Sequence, residues 1–257
     1  MPKRIYLLCT LLLAGCSTLR TGPESLIKAS ALTQRTVSAP VGLDVFHSQG
    51  LVLTAGALYL TSVIKNAGEG WIFKFDRKTM ALQTRRNLAI GGDIHPGGMD
   101  FDGQYLWVPV AAYARNSHTS ILALDPHTLA EKERFEWDDH IGAVARCRDL
   151  LIGANWDAED FYFWTLDGQL VEQRKSPTGI AYQDCEGAGE YLVGVGGGYL
   201  DWIDIESWTL AKRFPLGKSL QGSKLSREGM SLFGGSVFFF PDDGPDARLY
   251  EYSKKRD

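Results

Sequence analysis

A short phrase recurs along this chain and constrains its fold more than any other feature. His47-Ser48-Gln49-Gly50, His95-Pro96-Gly97-Gly98 and Asp139-His140-Ile141-Gly142 each stand just before a predicted strand, so three of the five histidines occupy similar places in a repeated unit. A second series ends in an aspartate turn: Trp71 to Asp76, Ser120 to Asp125, Phe163 to Asp167 and Leu200 to Asp204. A fifth member, Arg248 to Tyr252, is followed by Ser253 in place of the acid. These end positions average about 44 residues apart, near the length of one four-stranded propeller blade.

Each repeat divides into strands of different character. An apolar strand precedes each member of the aspartate series: 58–64, 105–111, 150–156, 191–195 and 237–240. A more polar strand follows the first four, at 81–89, 129–137, 170–175 and 209–216. In four repeats a glycine (Gly50, Gly98, Gly142, Gly229) stands eight residues before an apolar-strand residue (Leu58, Leu106, Leu150, Val237), marking a crowded inner strand, and in the fifth Asp184 stands eight before Leu192. The count is five inner, second and third strands but only four outer ones. Residues 31–36 (Ala-Leu-Thr-Gln-Arg-Thr) read like 81–86 (Ala-Leu-Gln-Thr-Arg-Arg) and supply the missing strand. The chain is therefore predicted to be all-β, a five-bladed β-propeller over residues 31–257, closed by an N-terminal strand that completes the last blade and protects its edges. Aromatic residues such as Trp71, Phe73, Trp107, Phe161, Phe163, Trp164, Trp202 and Phe238 to Phe240 are expected to pack between blades.

The N-terminus reads as an address. Lys3 and Arg4 precede an apolar run from Ile5 to Leu13 and the phrase Leu13-Ala14-Gly15-Cys16, too short to span a bilayer. It looks like a bacterial lipobox: residues 1–15 are expected to be a lipoprotein signal peptide, Cys16 the lipidation site, and residues 16–30 a lipidated tether. Ser17, rather than Asp, resembles outer-membrane sorting, which implies a lipoprotein of the cell envelope facing the periplasm. The alternative is an ordinary secretory peptide or a chance cysteine. Membrane contact through lipid is then the expected attachment, since no later apolar run approaches 18 residues. With 31 acidic against 27 basic residues, no basic patch supports nucleic-acid binding. Only Cys147 and Cys185 follow Cys16, and they are expected to form either a disulfide stapling neighbouring blades or two separate buried thiols.

In a propeller the outer-to-inner connections and the loops between second and third strands emerge on one face. That face receives His47, Gln49, His95, His140, Gln183, Arg227 and Glu228 around the channel mouth, with Tyr113 and Trp156 from the second set of loops. These residues are the candidate ligand contacts. His47, His95 and His140 are of a kind to hold a divalent metal of the zinc type, with Glu228 or Gln183 as a further ligand or base; Glu228 and His140 are the candidate catalytic groups. The alternatives are ligand contact without chemistry, or side chains that satisfy backbone groups and channel water. Asp242-Asp243-Gly244-Pro245-Asp246 reads either as a calcium loop or as a turn, and Gly196-Gly197-Gly198 as a tight bend rather than a phosphate loop.

The phrases around His47, His95, Trp107 to Ala111 and Asp139 to Gly142 resemble those of an uncharacterised family of exported bacterial propeller proteins, a domain of unknown function, over most of residues 45–250. Phe46-His47-Ser48-Gln49-Gly50-Leu51 is also similar to a signature of five-bladed glutaminyl cyclases. Arg227-Glu228-Gly229-Met230 with Pro241-Asp242-Asp243-Gly244 is similar to phrases in esterase-like and phytase-like propellers. The functional expectation is a cell-envelope protein that binds a small molecule, glycan or protein partner at its His-rich mouth. The alternative is a metal-dependent hydrolase or a glutaminyl-cyclase-like cyclotransferase using the same residues.

Overall fold

The computed structural model describes residues 24–255. The segment expected to be a signal peptide and Cys16 lie outside these residues. Five antiparallel sheets form the five blades of a propeller. Blade one comprises His47–Leu53, Ala57–Ile64, Glu69–Asp76 and Leu82–Asn87, from the inside outwards. Blade three (Ile141–Cys147 to Leu170–Lys175) and blade four (Tyr182–Ala188 to Thr209–Pro215) repeat that order. Blade two ends outwards in Leu106–Ala111, Thr119–Leu124 and Glu131–Trp137, and its inner strand is split into His95–Pro96 and Asp100–Phe101. In the gap Gly98 leaves its own sheet: its N–H bonds Gly142 O in blade three at 2.8 Å.

Blade five is closed as predicted. Glu228–Phe233, Ser236–Pro241 and Tyr250–Lys254 come from the end of the chain, and Leu32–Val37 pairs antiparallel with Tyr250–Lys254 as the outermost strand. Ring closure thus joins the two ends of the propeller by backbone hydrogen bonds, and the third strand of blade five keeps no open edge. Part of the segment expected to be a tether packs on the propeller. Glu24–Ile27 forms a helical turn, and Leu26 and Ala29 are buried with Val193, Trp202 and Tyr250 between blades four and five.

The aspartate turns are structural. Asp76 Oδ1 accepts from the N–H groups of Lys78 and Thr79 at 3.0 and 2.8 Å, and Asp125 repeats this with His127 and Thr128. Those bonds hold both carboxyls below their ordinary range. Most of the expected aromatics, among them Phe73, Trp107, Phe163, Trp164, Trp202, Phe239 and Phe240, are fully buried in clusters that join neighbouring blades, whereas Trp71 and Phe238 are partly exposed.

The axis explains both the glycines and their exception. A Cβ on Gly50 would sit 2.8 Å from Gly97 O, and one on Gly98 would sit 2.5 Å from Asp184 Oδ1. The inner strands approach so closely that glycine is required, and the carboxylate of Asp184 takes the space they leave. Its Oδ2 accepts from Leu51 N in blade one and Met230 N in blade five, each at 2.9 Å, and its Oδ1 accepts from Cys185 N at 3.0 Å. Asp100 Oδ2 joins blade two to Arg146 N at 2.8 Å and Gly187 N at 3.0 Å. Buried carboxylates thus tie together inner strands whose N–H groups have no ladder partner.

The expected disulfide is not formed: Cys147 and Cys185 are both buried thiols, neither in a disulfide. Cys147 ends its strand while Cys185 lies in the middle of Tyr182–Ala188, so the two do not share a position along neighbouring strands. Both contribute to the apolar cluster around Phe161 and Phe163, and burial pushes the Cys185 thiol well above its ordinary value.

Candidate functional site

The channel mouth is built from the first residues of the inner strands. In blade one a register shift between Ser48 and Leu51 bulges Gln49 and Gly50 out of the ladder, and such bulges re-aim side chains. Blades three and four carry equivalent shifts beside Ile141 and Tyr182. Two non-glycine residues here have positive φ: Phe46 at 58° directly before His47, and Glu228 at 82°. Strained backbone of this kind is characteristic of functional sites.

The three imidazoles expected to share one metal divide into two groups. His47 Nδ1 meets Asp242 Oδ2 at 2.9 Å, and Arg227 Nη2 approaches the same oxygen at 3.3 Å. Arg227 Nε lies 3.7 Å from Glu228 Oε1. His47, Glu228 and Asp242 are the one set of three ligating side chains among the described residues whose atoms all lie within 4.8 Å of one another. His47 is held there by its partner Asp242, whose position in the sequence suggested only a turn or a calcium loop. Asp242 follows the strand Ser236–Pro241, and its pairing with His47 is the feature that the sequence did not reveal.

The second group contains His95 and His140. His95 Nε2 contacts Gln49 Oε1 at 3.0 Å, and His95 Nδ1 faces His140 Nε2 at 3.4 Å. His140 Nδ1 lies 2.9 Å from Ala114 O. Around them stand Tyr113, whose ring centroid is 4.6 Å from that of His95, and Trp156, 4.4 Å from His140. Arg115 and Asp157 form an ion pair between the loops that carry these two aromatics. Lys65 Nζ lies over the Tyr113 ring, 4.3 Å from its centroid. Gln183 is half-buried at the start of the blade-four inner strand. Tyr182 turns away, donating to Asp201 at 2.6 Å, where Arg213 also binds.

Electrostatics separate the two groups. The hydrogen bond to Asp242 raises the His47 imidazole above its ordinary value and so favours its protonated form. Glu228 is only 4% exposed, and burial pushes its carboxyl from 4.5 to about 7. His95 is lowered to about 3, and His140 is lowered too, both by burial. In one half of the mouth a buried carboxyl therefore titrates near neutral pH, while in the other burial favours neutral imidazoles. A separate open groove of about 840 Å³ is lined by Asp93, His118, Glu136 and Trp137 among others. In it His118 Nε2 pairs with Asp93 Oδ2 at 2.9 Å.

A protein-family model described as a family of unknown function (DUF6454) matches residues 5–199. No curated protein matches the sequence significantly. Among solved structures, glutaminyl cyclase from Myxococcus xanthus is similar at 13% identity and a TM-score of 0.66, over 86% of this chain and 95% of that one. A luciferin-regenerating enzyme is similar at 12% identity and a TM-score of 0.52, over 81% of this chain and 77% of that one. The WD40 domain of Neurospora crassa Pan2 follows at 9% identity and 0.50, over 90% and 98%. At these identities the likeness is one of fold.

Proposed function

We propose, for a chain that belongs to the DUF6454 family of unknown function, that the channel mouth binds a small amine-bearing amide or ester and that Glu228 moves a proton on it. The observation that carries this reading is the carboxyl of Glu228, buried, on strained backbone, and poised near 7. A general base works best when its pKa lies near the operating pH, and a perturbed carboxyl in a concave polar site is a sound candidate for one. The carboxylate would take a proton from the attacking amine or water and return it to the leaving nitrogen or oxygen. Asp242 offers an anion to the substrate amine, and His47, whose protonated form Asp242 favours, offers a proton donor to the carbonyl oxygen. Tyr113 and Trp156 form the apolar wall, and Gln49, His140, Gln183 and Arg227 complete the contacts.

The glutaminyl cyclase fold favours one member of this class, ring closure of an N-terminal glutamine with loss of ammonia. The test measures ammonia released from a glutaminyl dipeptide, and hydrolysis of a simple aryl ester, across pH 5 to 9. Activity that rises through a midpoint near pH 7 and falls at least about 100-fold in Glu228→Gln is the expected result. Turnover unchanged in that variant would refute the role, and binding without turnover would leave recognition as the function.

The N-terminal lipobox supports an anchor at Cys16 and a place at the outer membrane facing the periplasm. Leu26 docks near the ends of the blade-five strands where Leu32 pairs with Lys254, on the face opposite the mouth. An anchor eight residues before Glu24 would reach less than about 30 Å, which turns the mouth away from the lipid, toward small molecules or envelope proteins. Release of the protein from membranes by Cys16→Ser tests this, and unchanged membrane association refutes it.

A further inference from the structure

Hydrogen-bond partners reveal where the protons of His95 and His140 are. Gln49 donates its Nε2 to Ser48 O at 3.0 Å, so the amide atom facing His95 is an acceptor. His95 Nε2 therefore carries the proton. His140 Nδ1 faces the carbonyl of Ala114 at 2.9 Å, which can only accept, so this nitrogen carries a proton as well. Ser117 Oγ, 3.1 Å from His140 Nδ1, donates to Ala114 O at 3.0 Å and does not compete. A neutral imidazole has one N–H. The bare nitrogens are then His95 Nδ1 and His140 Nε2, and they face each other at 3.4 Å. The two side chains are 8% and 1% exposed.

Two buried lone pairs aimed at each other call for a cation between them. We propose that His95 Nδ1 and His140 Nε2 form a two-imidazole site for a divalent transition-metal ion of the zinc type. Two nitrogens at about 2.0–2.1 Å from a tetrahedral ion lie about 3.3–3.4 Å apart, the separation found here. Calcium and magnesium take oxygen ligands instead. The outward N–H bonds to Gln49 and Ala114 are the partners that orient metal-binding imidazoles. Only two protein ligands are supplied, so water or a bound ligand would fill the other positions. His47 is not among the ligands because Asp242 engages it. The inference stands independently of any proton transfer by Glu228.

The test is calorimetric titration of Zn²⁺ into the purified, tag-free full chain, with Co²⁺ as a coloured probe of coordination. One equivalent is expected to bind, at least tenfold more weakly in His95→Ala and in His140→Ala. Asp242→Asn and Glu228→Gln should leave the affinity within about twofold. Absence of saturable binding overturns the proposal, as does loss of binding in Glu228→Gln with retention in His140→Ala, which would move the ion to the carboxylate cluster. Nitrogen-15 NMR of the imidazoles in the metal-free wild type needs no variant. It should show His95 protonated at Nε2 and His140 at Nδ1, and a proton on His140 Nε2 would remove the basis of the site.

Discussion

Replacing Glu228 by Gln should stabilise the protein at alkaline pH and have little effect in acid. The Glu228 carboxyl titrates near 7 when folded and near 4.5 when unfolded. The folded state therefore binds the proton more tightly. Below pH 4.5 both states are protonated and the residue carries no charge penalty. As the pH rises from 4.5 to 7 the unfolded chain ionises first, so folding stability falls, and above 7 the loss is constant. A rise of this size corresponds to about 3 kcal/mol. The groups facing the carboxyl are His47, Asp242 and Arg227. Gln keeps the backbone strain and the shape while removing the charge, so the variant should gain about 3 kcal/mol at pH 8. For a domain of this size that is a rise in Tm of about 6–12 °C. Urea unfolding from pH 4.5 to 8.5 is the assay, and the difference between variant and wild type must grow with pH and level off above 7. A difference independent of pH, or a variant less stable at pH 8 than the wild type, would refute the reasoning. Higher stability together with lost turnover would mark a residue kept for function.

The axial carboxylates give the opposite sign. Asp184→Ala orphans the N–H groups of Leu51, Met230 and Cys185, and at about 1–3 kcal/mol for each buried donor it should unfold the propeller or lower the urea midpoint sharply; an unchanged midpoint would contradict the role given to Asp184. Arg213→Ala strips the charge partner from Asp201, which is fully buried, and should cost about 3–5 kcal/mol, measured by the same unfolding curves. Deletion of residues 1–38 removes the strand that covers Tyr250–Lys254 and should convert a monodisperse protein into aggregates on size-exclusion chromatography. Alkylation of denatured, unreduced protein should label both Cys147 and Cys185 in mass spectra, because neither is in a disulfide.

Much of the fold was legible because propeller blades write their period into the chain. The aspartate turns at Asp76, Asp125 and Asp204 need a short acceptor at a fixed place, and the crowded axis needs glycine at Gly50 and Gly98. Both demands are local, so they recur at blade spacing, and the mismatch between five inner strands and four outer ones led directly to closure by Leu32–Val37. The docked turn at Glu24–Ile27 was missed because its anchor, Leu26, has no periodic neighbours, and a single leucine in a polar stretch carries no pattern.

The site was legible only as a list of residues sharing a face. Which imidazole meets which partner depends on bulges that shift side chains by one position. Gln49 reaches His95 from such a bulge, and the split inner strand of blade two sets His95 against His140 rather than His47. Asp242 looked like a turn residue because turns favour aspartate, although its side chain crosses from blade five to His47 in blade one. Asp184 shows how the same information can hide in an exception. Where one repeat breaks a glycine rule that the other four obey, the substituted side chain must fit the space the glycines leave, and there its carboxylate bonds two other blades. A departure from the repeat was thus the strongest sign of long-range bonding in the sequence, and it lay at the centre of the molecule rather than at the mouth.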